Sequence, residues 1–240
     1  MRQLLLLFLF SATTFVFGQG VDSVKFALGQ IDYSAHPEFV KISEADASRS
    51  GMYLRVEALT AFKKMKAAAK KDGVDLRIIS AARNFNHQKQ IWEAKWKGQR
   101  LVNGQNLAST IPNPSDRAKE ILKYSSMPGT SRHHWGTDID INSLSPEYFN
   151  SGKGKKEYEW LREHAGEFGF CQVYSEKGGD RSHGYEEEKW HWSYIPIASK
   201  FTRFYAKNIG KMDLNGFEGA DALPFSEIMK YVQGISKSCK

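Results

Sequence analysis

Ser131-Arg132-His133-His134-Trp135-Gly136-Thr137-Asp138-Ile139-Asp140 says more about this chain than any other segment, and Glu188-Lys189-Trp190-His191-Trp192 completes it some fifty residues later. Together they supply an imidazole, a carboxylate seven residues after it, a second imidazole, and a glutamate three residues before that one. This is the inventory of a catalytic zinc centre: three protein donors, an open position for water, and a spare carboxylate to move protons. His133 near the end of a loop and Asp140 on the strand that follows can converge on one ion, and Gly136 between them permits a tight turn without a Cβ in the way. His191 on a later strand completes a two-histidine, one-carboxylate set. Glu188 is then the natural general base, taking a proton from water and delivering it to a leaving amine. His87 and His164 fall in helical patterns and read as ordinary, His134 points away from its neighbour if the backbone is extended, and His183 lies in a polar loop that could rim the site.

Outward from this segment, the pattern predicts separated helices and short strands. Leu54, Ala58, Leu59, Phe62, Met65 and Ala69 recur at helical spacing within Met52–Lys71, with Gly73 as a stop. Val74–Ser80 alternates like a strand, Asn84–Lys97 is helical with Ile91 and Trp92 inward, and Pro114 suits the first turn of a further helix. Thr137–Asn142, Phe170–Tyr174 and Lys189–Tyr194 read as strands, while Glu157–Phe168, Ile197–Asn208 and Ser226–Gln233 read as helices. There are no internal repeats. The fold class expected is α+β, one small antiparallel sheet flanked by helices. Residues 19–49 show no firm periodicity and are expected to wrap the domain as an N-terminal arm. The domain proper is expected over 50–209, with 210–240 as a C-terminal extension.

Met1-Arg2 and the apolar run Leu4–Phe10 read as a signal peptide cut after Gly18, which predicts an exported protein, periplasmic or extracellular. A membrane anchor is the competing reading, disfavoured because the strongly apolar core is short. No second apolar run of spanning length follows, so no stable membrane insertion is expected after cleavage. The chain carries 34 Lys and Arg against 27 Asp and Glu, a formal charge of +7. In an exported protein that balance suits an anionic envelope polymer as readily as nucleic acid. Lys63, Lys64, Lys66, Lys70 and Lys71 read as a solvated helix surface, so no nucleic-acid partner is inferred. Cys171 and Cys239 stand far apart; in an oxidising compartment one bridge would tie the tail to the core, and spacing alone leaves two free thiols equally open. Nothing in the sequence speaks to oligomeric state.

Ser131 to Asp140 resembles the S-x-H-x-x-G-x-x-x-D motif of the VanY-type D-alanyl-D-alanine carboxypeptidases, in the LAS group of zinc peptidases. Glu188 to Trp192 is similar to their E-x-x-H-W signature, and Ser80-Ala81-Ala82-Arg83, with Gln88 five residues later, to their S-x-x-R segment at a strand-to-helix junction. Trp160-Leu161 through Phe168-Gly169-Phe170 also fits, so the likeness runs from about Ser80 to Tyr194. The resemblance implies a LAS-type fold, Zn2+ held by His133, Asp140 and His191, and Glu188 as catalytic base. It further implies Arg83 on the substrate carbonyl or terminal carboxylate, Gln88 and Ser131 as further substrate-binding residues, and peptidoglycan stem peptides as partners. The activity implied is a secreted D,D-carboxypeptidase releasing terminal D-alanine. An L,D-carboxypeptidase or an endopeptidase on peptidoglycan is the near alternative. A non-catalytic zinc-stabilised wall-binding module is the distant one, since a shared scaffold need not share chemistry. Two departures stand out: Asp138 replaces a residue that is small in the family, and the S-x-x-R segment lacks the usual tyrosine. Positions 138 and 140 share a strand face, so Asp138 is either a partner behind the ligands or a competitor for the metal.

Overall fold

Four residues, Asp138-Ile139-Asp140-Ile141, alternate polar and apolar, and their strand organises the molecule. The computed structural model of the protein describes residues 21–240, so the signal peptide expected at residues 1–18 lies outside the described residues. In chain order the elements are α1 (Val21–Ala27), β1 (Phe39–Lys41), β2 (Tyr53–Arg55), α2 (Val56–Lys71), β3 (Ile78–Ser80), α3 (Phe85–Trp96) and α4 (Leu107–Thr110). They continue with α5 (Pro114–Ile121), β4 (Asp138–Ile141), α6 (Gly152–His164), β5 (Phe170–Gln172), β6 (His191–Tyr194), α7 (Ile195–Asn208) and α8 (Phe225–Gln233).

The main sheet has strand order β3-β4-β6-β5, antiparallel throughout, and β1 and β2 form a separate two-stranded ribbon. This is the expected α+β architecture, a small antiparallel sheet flanked by helices. In the sheet, Asp140 stands opposite Ser80 on one side and His191 on the other, and Ile139 opposite Trp192. Ile139, Ile141 and Trp192 therefore share a face and bury themselves against Leu59, Phe62 and Met65 of α2 and Trp160 and Leu161 of α6. Asp138, Asp140, His191 and Ser193 take the opposite face by strand alternation. A second apolar cluster joins α3, α5, α7 and α8 around Trp92, Trp135, Phe201 and Tyr205.

Local signals explain the boundaries. Asn84 caps α3 by accepting from the His87 N–H at 2.9 Å, and Asn113 caps α5 with Pro114 in the first turn, so each chain entry satisfies donors the helix leaves orphaned. The helix expected from Met52 begins only at Val56. Tyr53–Arg55 instead pairs with Phe39–Lys41 as a ribbon, a long-range pairing that overrides helical periodicity. Likewise Val74–Arg77 stays outside the ladder, which starts at Ile78. Residues expected to lack periodicity in the N-terminal segment supply α1, β1 and Tyr33, whose hydroxyl donates to the carbonyls of Arg83 and His134 at 3.0 and 2.9 Å. Cys171 and Cys239 form a disulfide, tying the C-terminal tail to β5. Among the described residues no helix is long and apolar enough to cross a membrane.

Candidate active site

A short 3-10 turn, Arg132–Trp135, delivers His133 to the start of β4, and Gly136 closes it with φ 66°, a left-handed conformation that favours glycine. A side chain at Gly136 would also collide with the Phe39 ring, so the turn has no room for another residue. His133 Nδ1 lies 2.9 Å from the Ala81 carbonyl, an arrangement in which Nδ1–H donates and the Nε2 lone pair is left facing Asp140 Oδ1 at 3.4 Å. His191 is held the other way round. Its Nε2 donates to Asp138 Oδ2 at 2.9 Å, and its Nδ1 faces Asp140 Oδ1 at 3.6 Å and Glu188 Oε2 at 3.0 Å. One ligand atom each from His133, Asp140 and His191 lies within 4.8 Å of the others, all three residues buried.

The donor set fits a zinc ion. Asp140 Oδ1 is buried with no hydrogen-bond partner although two ring nitrogens stand near it, and such an orphaned oxygen among nitrogen lone pairs is completed by a cation. Burial alone would raise the Asp140 carboxyl, but the neighbouring His133 foremost, then His191 and Arg83, hold it down at about 2, ionised and able to coordinate. Burial, with Arg83 adding to it, lowers His133, favouring the neutral ring a metal requires. Burial raises the Glu188 carboxyl against the pull of His191, the direction that suits a proton carrier.

Asp138 is no competitor for that position. Both its oxygens are used: Oδ2 by His191 Nε2 and by Arg132 Nε at 3.0 Å, Oδ1 by the hydroxyls of Thr137 and Ser193, each at 2.7 Å. Arg132 is itself buried, bonded through its remaining nitrogens to Thr202 and Ser193 at 2.8 and 2.9 Å and lying 4.6 Å from the Trp135 ring centroid. Burial opposes ionisation of Asp138, but Arg132 foremost, then His191, hold its carboxyl far below the ordinary range. A charge-assisted network of this kind fixes which His191 nitrogen is turned toward the centre.

A cleft of about 640 Å³ opens on these groups, lined by His133, Asp140, His191, Glu188, Arg83 and Gln88 among others. Arg83 is fixed through its backbone, with N–H to the His133 carbonyl at 3.2 Å and its own carbonyl accepting from Tyr33 and from His134 Nδ1. Its Nε is buried and unpartnered, as is Gln88 Oε1, while Gln88 Nε2 donates to the Ser126 carbonyl at 2.8 Å. Ser131 is placed differently: its hydroxyl is buried without a partner, and it is not among the residues lining the cleft. His87 lines the cleft, whereas His164 pairs with Glu167 away from it and His183 lies with a separate surface depression. His134 turned out to be a buried brace, its Nδ1 toward Arg83 and its Nε2 accepting from the Gly129 N–H. Sequence reasoning missed that brace, Tyr33, and the cleft walls Tyr124, Tyr174, Tyr185 and Lys95; only the aromatic content near Trp190 hinted at them.

Residues 51–197 match the VanY family, described as D-alanyl-D-alanine carboxypeptidase, and the chain belongs to that family. Among curated relatives it is 33% identical over 147 residues to YodJ of Bacillus subtilis (strain 168), named as a carboxypeptidase, a match covering 60% of this chain and 46% of that protein. It is 28% identical over 145 residues to the D-alanyl-D-alanine carboxypeptidase of Enterococcus faecalis, covering 59% and 48%. The match thus spans about half the length of these relatives. Among solved structures, the LdcB LD-carboxypeptidase aligns with a TM-score of 0.51 at 24% identity, covering 72% of this chain and 74% of that one. A vancomycin-resistance D,D-pentapeptidase VanY variant in complex with Zn(II) aligns with a TM-score of 0.50 at 22% identity, covering 77% and 93%. At these identities the likeness establishes the shared fold.

Proposed function

We propose that the protein is a zinc-dependent D,D-carboxypeptidase, exported from the cytoplasm, that releases the terminal D-alanine of peptidoglycan stem peptides. The observation that carries this reading is the convergence of His133, Asp140 and His191 on one buried point beside Glu188, with Arg83 and Gln88 lining the same cleft. His133 Nε2, Asp140 Oδ1 and His191 Nδ1 would hold the metal. Zinc bound there supplies Lewis acidity toward the scissile carbonyl and the attacking water. Glu188 takes a proton from that water and hands it to the departing amine, a task suited to a carboxyl raised by burial. The Arg83 guanidinium, permanently charged and forked, receives the terminal carboxylate or steadies charge growing on the carbonyl oxygen. Membership of the family and the Enterococcus faecalis relative support D-alanyl-D-alanine as the bond.

Purified protein incubated with a pentapeptide ending in D-Ala-D-Ala is expected to release D-alanine, to stop on chelation, and to recover when zinc is restored. Glu188→Gln is expected to keep zinc and lose about 10²–10⁴-fold in kcat. Absence of zinc-dependent release overturns the assignment. Because the fold is shared with an LD-carboxypeptidase, the same assay on a tetrapeptide separates that specificity: release from the tetrapeptide alone reassigns the enzyme.

A further inference from the structure

One wall of the cleft stands apart from His133, Asp140, His191 and Arg83. Gln88, Ile91 and Lys95, at i, i+3 and i+7 of α3, form one helical stripe facing the cavity, and Arg49 and Arg100 line the same space. Lys95 is half-buried, and among the described residues its ammonium donates only to the Ser125 hydroxyl. Among the described residues, none of Arg49, Arg83, Lys95 and Arg100 has an ion-pair partner. The acids that share the cavity are otherwise engaged: Asp140 stands between the two imidazoles, Glu188 against His191, and Glu147 accepts from Ser145.

A half-buried lysine without a counter-ion is unfavourable, because desolvation penalises its charged form. Burial first, then Arg100 and Arg83, draw Lys95 down to about 8 against a weaker opposing pull from Glu188, which makes no ion pair with it. A substrate anion arriving there would restore what burial takes away, and unpaired cations around a concave surface concentrate anions. Arg83 alone answers one terminal carboxylate, so the remaining cations are surplus to it. Arg83 precedes α3 and Lys95 lies nearly three turns into it, so an anion at Lys95 would belong to a different part of the substrate from the carboxylate at Arg83.

We infer that Lys95, backed by Arg100, is a subsite for a second carboxylate of the substrate, carried upstream of the terminal one. This deepens the carboxypeptidase reading and rests on it: the preferred substrates are stem peptides whose internal acidic residue keeps its free carboxylate, and the corresponding carboxamides are poor substrates.

The test uses the zinc-loaded full chain and pairs of synthetic pentapeptides ending in D-Ala-D-Ala, identical except for carboxylate or carboxamide on a residue upstream of that terminal pair. The wild type is expected to favour the carboxylate about ten- to a hundredfold in kcat/KM, mostly through KM, the range of one charge-assisted hydrogen bond. Lys95→Met is expected to bring that ratio close to one, and Lys95→Arg to keep it well above one. Arg100→Gln, at an exposed position that leaves folding unthreatened, narrows the ratio in smaller measure. A wild-type ratio near one, or an undiminished ratio in Lys95→Met, overturns the subsite while cleavage of both peptides leaves the carboxypeptidase reading standing. If zinc-loaded protein cleaves neither peptide, that reading fails and the subsite falls with it.

Discussion

The two faces of β4 put neighbouring residues to opposite uses. Ile139 and Ile141 look into an apolar layer with Trp192, where removal from water is itself stabilising. Asp138 and Asp140 look the other way with His191 and Ser193, equally buried, where burial is a cost that partners must offset. The polar face is divided again. Asp138 accepts four hydrogen bonds and is fully satisfied, whereas Asp140 Oδ1 accepts none. The satisfied half fixes positions, and the unsatisfied half is where the proposed zinc would sit.

The sharpest way to break this contrast is to cut one residue from each face. Trp192→Ala is expected to lower unfolding free energy by about 3–5 kcal/mol in urea titration while the purified protein still retains one equivalent of zinc. Asp140→Ala is expected to do the reverse, losing zinc retention by elemental analysis while moving the metal-free urea midpoint less than Trp192→Ala does. If Asp140→Ala keeps its zinc, the assignment of the unsatisfied face is wrong.

Asp138→Asn probes the satisfied half. It leaves Arg132 buried without its carboxylate, a loss of about 3–5 kcal/mol for a broken buried pair, and loosens His191, weakening zinc affinity about 10–100-fold in chelator competition. Replacing both partners, Arg132→Met with Asp138→Ala, is expected to recover stability without recovering affinity. Equal recovery of both would reduce Asp138 to a packing role.

A smaller effect follows from pH in the metal-free chain. Burial would lower His191, but its hydrogen bonds to Asp138 and then Glu188 prevail and raise it to about 9. A raised histidine adds stability that is fully present below the ordinary imidazole value near 6.5 and is lost as pH climbs through 9. With EDTA present, unfolding free energy is therefore expected to fall by up to about 3 kcal/mol between pH 6 and 9.5. Zinc affinity should rise over the same window as the Nδ1 proton comes off more easily. A flat profile would show that His191 is neutral without metal.

Much of the site was legible in the sequence, for reasons that particular residues make plain. His133, Asp140, Glu188 and His191 stand out because strand alternation and the Gly136 turn are short-range, and Arg83 and Gln88 through the family resemblance of the segment where β3 hands over to α3. Ser131 was legible as part of a motif but not as a cleft residue, since a motif carries no direction for a hydroxyl. The late start of α2 was hidden because Tyr53–Arg55 answers to β1, not to its own neighbours.

The amino-acid order by itself therefore marked out the His133, Asp140 and His191 group that the structure brings together, the polar and apolar faces of the central strand, and the mixed fold, all consequences of local periodicity and residue chemistry. The tertiary structure alone decided which nitrogen each imidazole turns inward, that Asp138 stands behind His191 and not between the two imidazoles, that Cys171 bridges to Cys239, and that Lys95 shares a cavity with Arg83. Those outcomes depend on groups fifty or more residues apart, or on which face of a helix is turned to the cleft. Long-range packing, not local pattern, chooses them.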